Sequence, residues 1–140
     1  MTVLYSAEMD GLAAVPVSLP SGGIVDGNVR VKRATITLAT QTTSDTIVIA
    51  KGHDGESFLY GVINASATLG GSATIAIGIT GATGKYRAAA GHTAVSTPTL
   101  FGVNAAVATI SAEEEIFITI AGASLPGSGR LIVDMYFSAT

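Results

Sequence analysis

Apolar residues in this chain recur at every second position. Ile75, Ile77 and Ile79 do so, and so do Ile116, Ile118 and Ile120. A period of two places such residues on one face of a strand, whereas an α-helix would scatter them around its axis. The only window with any helical period is Val103 to Ala112, and it carries β-branched residues and Asn104. The run Val29 to Leu38 sets Arg30, Lys32, Ala34, Ile36 and Leu38 against Val29, Val31, Arg33, Thr35 and Thr37. Thr46 to Ala50 holds three adjacent apolar residues, which suits a strand buried on both faces. Phe58 to Ala65 places Phe58, Tyr60 and Val62 on one side, with Leu59 and Ile63 on the other.

Glycine and proline punctuate these runs. Turns are expected at His53 to Glu56, at Gly70-Gly71, at Gly81 to Gly84 and at Leu125 to Gly129. Gly78, inside the isoleucine run, signals a bulge or a close backbone approach. Pro98 opens a run through Val103, and Arg130 to Ser138 reads as the final strand. Roughly seven to nine short strands with regular turn signals predict an all-β antiparallel sandwich of jelly-roll type. Ile77 is expected at its core, with most of the tyrosines and phenylalanines.

Residues 1–27 read differently. Pro16, Pro20 and Ser21-Gly22-Gly23 interrupt any periodicity, and each proline biases its predecessor toward extended backbone. The expectation is an N-terminal arm at 1–27 followed by a sandwich domain at 28–140. The other reading of the arm is a first strand of the sandwich itself. As a tether, it would dock through Val3, Leu4, Tyr5, Leu12, Val15 and Val17.

Only 12% of residues are charged while 48% are hydrophobic, against roughly 25% charged in ordinary domains. Such a surface fits a chain covered by other protein. A net charge of −3 implies neither a polyanion nor a membrane partner. The charge-free stretch from Ser57 to Gly84 contains Asn64, several hydroxyl residues and Gly70-Gly71, so it is a poor membrane helix. The N-terminus lacks the basic start of a signal peptide. With no cysteines, disulfides and thiolate metal sites are excluded.

His53, Asp54 and Glu56 are the best polar group, yet their spacing matches no calcium loop and reads as an Asp-Gly turn. His92 has no acidic neighbour in sequence. No nucleophile elbow or phosphate loop is present, and neither a catalytic residue, a metal nor a cofactor is expected. Arg30 and Lys32 alternate to the face opposite Arg33, so they form no broad nucleic-acid patch, and no Trp offers a stacking platform. These three residues read as charges guarding a strand edge. They also suit ion pairs across a subunit boundary with Glu113, Glu114 and Glu115.

Several segments carry a resemblance: Val31-Lys32-Arg33-Ala34-Thr35, Phe58-Leu59-Tyr60-Gly61-Val62, Ala73 to Gly78, Lys85 to Ala89, Pro98 to Gly102 and Leu125 to Gly129. Over residues 29–138 the chain resembles small bacteriophage head-associated virion proteins. The resemblance implies a non-enzymatic capsid decoration, or cement, protein on the outer surface of the capsid, made in the host cytoplasm. Its implied partners are the major capsid protein and further copies of itself, most simply a trimer. A carbohydrate- or receptor-binding module of a tail fibre or head spike is the alternative.

Overall fold

A computed structural model describes residues 16–17, 27–102 and 109–139. Eight strands follow one another: β1 (Asn28–Thr37), β2 (Thr46–Gly52), β3 (Ser57–Ala65), β4 (Thr74–Ile79), β5 (Ala82–Ala90), β6 (Thr99–Phe101), β7 (Glu114–Ala121) and β8 (Arg130–Ala139). No helix occurs among the described residues. The strands form two four-stranded sheets, ordered β1-β8-β3-β6 and β2-β7-β4-β5. Every paired neighbour is antiparallel. First pairs with last, second with seventh, third with sixth and fourth with fifth. This is one long hairpin rolled into a sandwich, the jelly roll expected from the strand pattern.

Alternating side chains build the core. Ile75 and Ile77 on β4 face Ile116, Ile118 and Ile120 on β7, while Leu131, Val133, Met135 and Phe137 line β8; all are buried. Phe58 sits at the centre of an aromatic cluster, with ring centroids 4.7 Å from Tyr86 and 5.5 Å from Phe137. Their tilted, edge-on packing suits the ring quadrupoles. Close approach explains two glycines. A Cβ on Gly78 would lie 2.2 Å from the Ala82 carbonyl oxygen, and one on Gly61 would lie 2.1 Å from the Phe101 ring.

Four expectations need correction. β2 is an edge strand rather than a strand buried on both faces, and Val48 is exposed. A register shift between Phe58 and Tyr60 reverses the alternation within β3. Phe58, Gly61 and Ile63 therefore point inward, while Tyr60 and Val62 turn outward. Tyr60 and Tyr136 consequently leave the core and stack on the outer face, 4.7 Å apart. The turn assigned to Gly81–Gly84 is instead Thr80-Gly81, with Ile79 and Ala82 already paired. The weak helical window at 103–112 lies largely outside the described residues; within it, Thr109 bridges Ser57 and Ile110 is buried.

Candidate interaction surface

Two groups of polar and apolar side chains stand apart from the core. The first is a charged network where β2 ends and β3 and β7 begin. Glu56 is buried, and its Oε1 accepts from Lys32 Nζ at 2.7 Å and from the His53 backbone N–H at 2.8 Å. Lys32 Nζ also lies 4.5 Å from the Phe137 ring centroid and donates to the Lys51 carbonyl. Burial pushes the Glu56 carboxyl up, but the Lys32 and His53 bonds and charges outweigh it and hold its pKa below the ordinary value. Glu114 accepts from Lys85 Nζ at 2.7 Å and from the Tyr86 hydroxyl. Burial, then the bond to Glu114, keeps Tyr86 protonated far above the usual phenol range. Glu113 sits 3.5 Å from Lys51 Nζ and 3.3 Å from His53 Nδ1.

The second group covers the outer face of the β1-β8-β3-β6 sheet. Register brings Val31, Tyr136 and Tyr60 into one row, and Arg33, Asp134, Val62 and Leu100 into the next. Leu100 is 65% exposed, Val29 62%, Val31 55% and Tyr60 39%, so four large apolar side chains meet solvent on one face. Amid them Arg33 grips Asp134 in a two-pronged pair, both bonds 2.7 Å. Such planar pairing fixes both side chains in place. At one end of this face a polar depression is lined by Thr37, Asn64, Ser66, Ser96 and Arg130.

The structure places the expected interface residues mostly inside the molecule's own ion pairs. Lys32 pairs with Glu56, Arg33 with Asp134, Glu113 with Lys51 and His53, and Glu114 with Lys85. Arg30 and Glu115 are exposed and take no ion pair among the described residues. β1 does form a sheet edge, as its charges suggested. Of the arm residues, Val17 is described and is 62% exposed; Val3, Leu4, Tyr5, Leu12 and Val15 lie outside the described residues. Sequence reasoning missed the partners Asp134, Lys85 and Tyr86. Their pairing spans up to 101 positions along the chain, which only the topology reveals.

Among the described residues, no three His, Asp or Glu side chains come together as a metal site. His92 is buried, and its Nε2 finds no hydrogen-bond partner among the described residues. Burial, and then the nearby Arg87 charge, lowers its pKa.

No family model and no curated protein matches this sequence. Solved structures do. A chain of the cyanophage Pam1 capsid asymmetric unit superposes with a TM-score of 0.67 at 19% identity, over 91% of this chain and 96% of that one. The chain shares its fold with phage capsid components. The capsid of Ralstonia phage GP4 gives a TM-score of 0.63 at 15% identity, covering 81% of this chain and 86% of that one. The acid-stable capsid of Helicobacter pylori bacteriophage KHP30 gives 0.58 at 7% identity, with 79% and 86% covered.

Proposed function

We propose that this chain is a structural virion protein that decorates and stabilises a bacteriophage capsid by binding between capsomers. The observation carrying this reading is the fold match to a capsid chain over nearly the whole of both chains. The exposed apolar face of the β1-β8-β3-β6 sheet is the contact surface we assign, its partners being the major capsid protein and other copies arranged as a trimer. Arg30 and Glu115, unpaired among the described residues, provide charges for such a boundary. The arm supplies a further contact with the shell through Leu12, Val15 and the exposed Val17.

Stabilisation follows from mass action. A protein that binds only the mature shell lowers that shell's free energy by its binding energy at every site. A symmetric oligomer multiplies contacts that are weak singly. The protein performs no chemistry in this role and needs no cofactor.

Cryo-electron microscopy of the particle carrying this chain tests the proposal. Eight-stranded density at fixed stoichiometry on the outer head surface, between capsomers, is expected. Density on a tail tip, or absence from the virion, overturns it. The polar depression lined by Asn64, Ser66 and Arg130 favours the second reading, a glycan-binding module. Specific glycan binding that mutation of Asn64 abolishes would move the assignment there.

A further inference from the structure

Strand register assembles the polar depression at one end of the β1-β8-β3-β6 sheet. Thr37 on β1 pairs with Arg130 on β8, and Asn64 on β3 pairs with Ile132. All four project from the outer face, since their sequence neighbours Ile36, Ile63, Leu131 and Val133 are buried. Ser66, just past the end of β3, continues the Arg130 row. Its backbone N–H donates to the Arg130 carbonyl at 2.9 Å, and its Oγ accepts from the Arg130 backbone N–H at 2.8 Å. Ser96 closes the rim. Its N–H donates to the Ala65 carbonyl at 2.7 Å, and its φ of 51° is a left-handed conformation that residues other than glycine adopt at a cost. The space enclosed is about 410 Å³, within the range of small-ligand sites. We propose that this depression binds a sugar bearing a carboxylate, a hexuronic acid unit of a glycan. The proposal deepens the glycan reading of the depression given above and rests on it.

The lining suits such a ring group by group. Arg130 supplies the charge, and its planar fork fits a carboxylate through two parallel N–H···O bonds. Asp134, on the same face of β8, does not claim that fork, because Arg33 holds both its oxygens at 2.7 Å. Thr37, Ser66 and Ser96 carry hydroxyls and Asn64 an amide, groups that both donate and accept as sugar hydroxyls require. Ser66 Oγ already accepts one bond, which leaves its own hydrogen to donate. Ile132, half-buried in the floor, offers an apolar patch to the C–H face of a ring. Thr37, Arg130 and Ser66 together span two strand spacings, about 10 Å, a breadth that suits one pyranose with its substituents. A simple anion would use Arg130 and leave the hydroxyl-bearing residues idle, and a neutral sugar would do the reverse. An acidic side chain from a neighbouring protein would reach Arg130 but fill little of the space. A carboxylated sugar uses both halves of the lining.

Titration of the isotope-labelled full chain with methyl β-D-glucuronide and with methyl β-D-glucoside, followed by backbone amide shifts, tests this. The two ligands differ only in a carboxylate against a hydroxymethyl group. The glucuronide should bind at least about tenfold more tightly and shift the amides of Asn64, Ser66, Ser96 and Arg130. Arg130→Gln should bring the two ligands level, while Asn64→Ala should weaken both and keep their ratio. Arg130 is exposed, so its replacement should leave the fold intact, and the comparison of ligands on the unaltered chain needs no variant. Equal affinity for the two ligands overturns the carboxylate class and leaves the glycan reading standing. No saturable shift with either overturns both. Sodium acetate that competes as well as the glucuronide overturns the sugar, since the depression would then take a bare carboxylate, as from a neighbouring protein's acidic side chain. The shell reading is decided separately, on the particle.

Discussion

Ile77 has no exposed surface and stands midway along β4, between Ile75 and Ile79. Ile77→Ala should cost about 2–5 kcal/mol, the usual range for emptying a buried isoleucine site. Denaturant unfolding checks this, and a change within about 0.5 kcal/mol would mark Ile77 as a surface position. His92 and Glu56 make stability fall on the acid side. Both have folded pKa values below their unfolded ones, so the unfolded chain binds the extra proton and stability rises with pH. His92 contributes its loss as pH falls below 6.5, the ordinary imidazole value, and Glu56 as pH falls below 4.5 and through its lowered folded value. In a His53→Gln background only one imidazole titrates. There, His92→Leu should flatten the thermal midpoint between pH 7.5 and 5.5, while Glu56→Gln leaves that window unchanged and weakens the fall below it. An unaltered slope after His92→Leu would assign the dependence elsewhere.

At the scale of strands, strict alternation was legible and its interruptions were not. Ile75 to Ile79 and Ile116 to Ile120 lie inward as their spacing requires. The bulges at Val48–Ala50 and Phe58–Tyr60, like the register shifts where β4 meets β5, leave no mark in composition, and each of the first two shifts the facing of every later residue in its strand. That is why Tyr60 reads as core in the sequence and stands outside in the fold. The faces of Lys32 and Arg33 were legible too, because β1 has no bulge. Their partners were not, since Asp134 arrives from β8 and Glu56 from the turn before β3, which no local pattern names. Thr80-Gly81 shows the same limit at a turn. Its two residues suffice because Gly81 takes a positive φ of 83°, whereas the richer glycine signal lay two positions further on.

Across the whole molecule, the apolar outer face and the sparse charge belong together. A chain with few charges has few ways to keep such a face wet, and covering it with protein removes the problem. Leu100→Lys should leave the thermal midpoint of the folded chain nearly unchanged, because the side chain is 65% exposed. It should weaken self-association by roughly tenfold or more if Leu100 is buried between copies, as interface truncations of about 1.4 kcal/mol do. Native mass spectrometry across a concentration series reads this directly. An oligomer unaffected by the substitution would exclude Leu100 from the subunit boundary. The rolled-hairpin pairing has a temporal consequence as well. Of the strands that pair with each other, only β4 and β5 are joined by a short turn, and each further pair encloses the one before it, until β1 meets β8 across some hundred residues. Loop-closure entropy opposes each such pairing until its contacts form, which sets this fold among the millisecond-to-second folders. During synthesis β1 emerges before β8, so its edge stays without that partner until β8 has left the ribosome. The sheet bearing the apolar face therefore closes only once β8 is made, and a chain halted short of it has no complete face to bury.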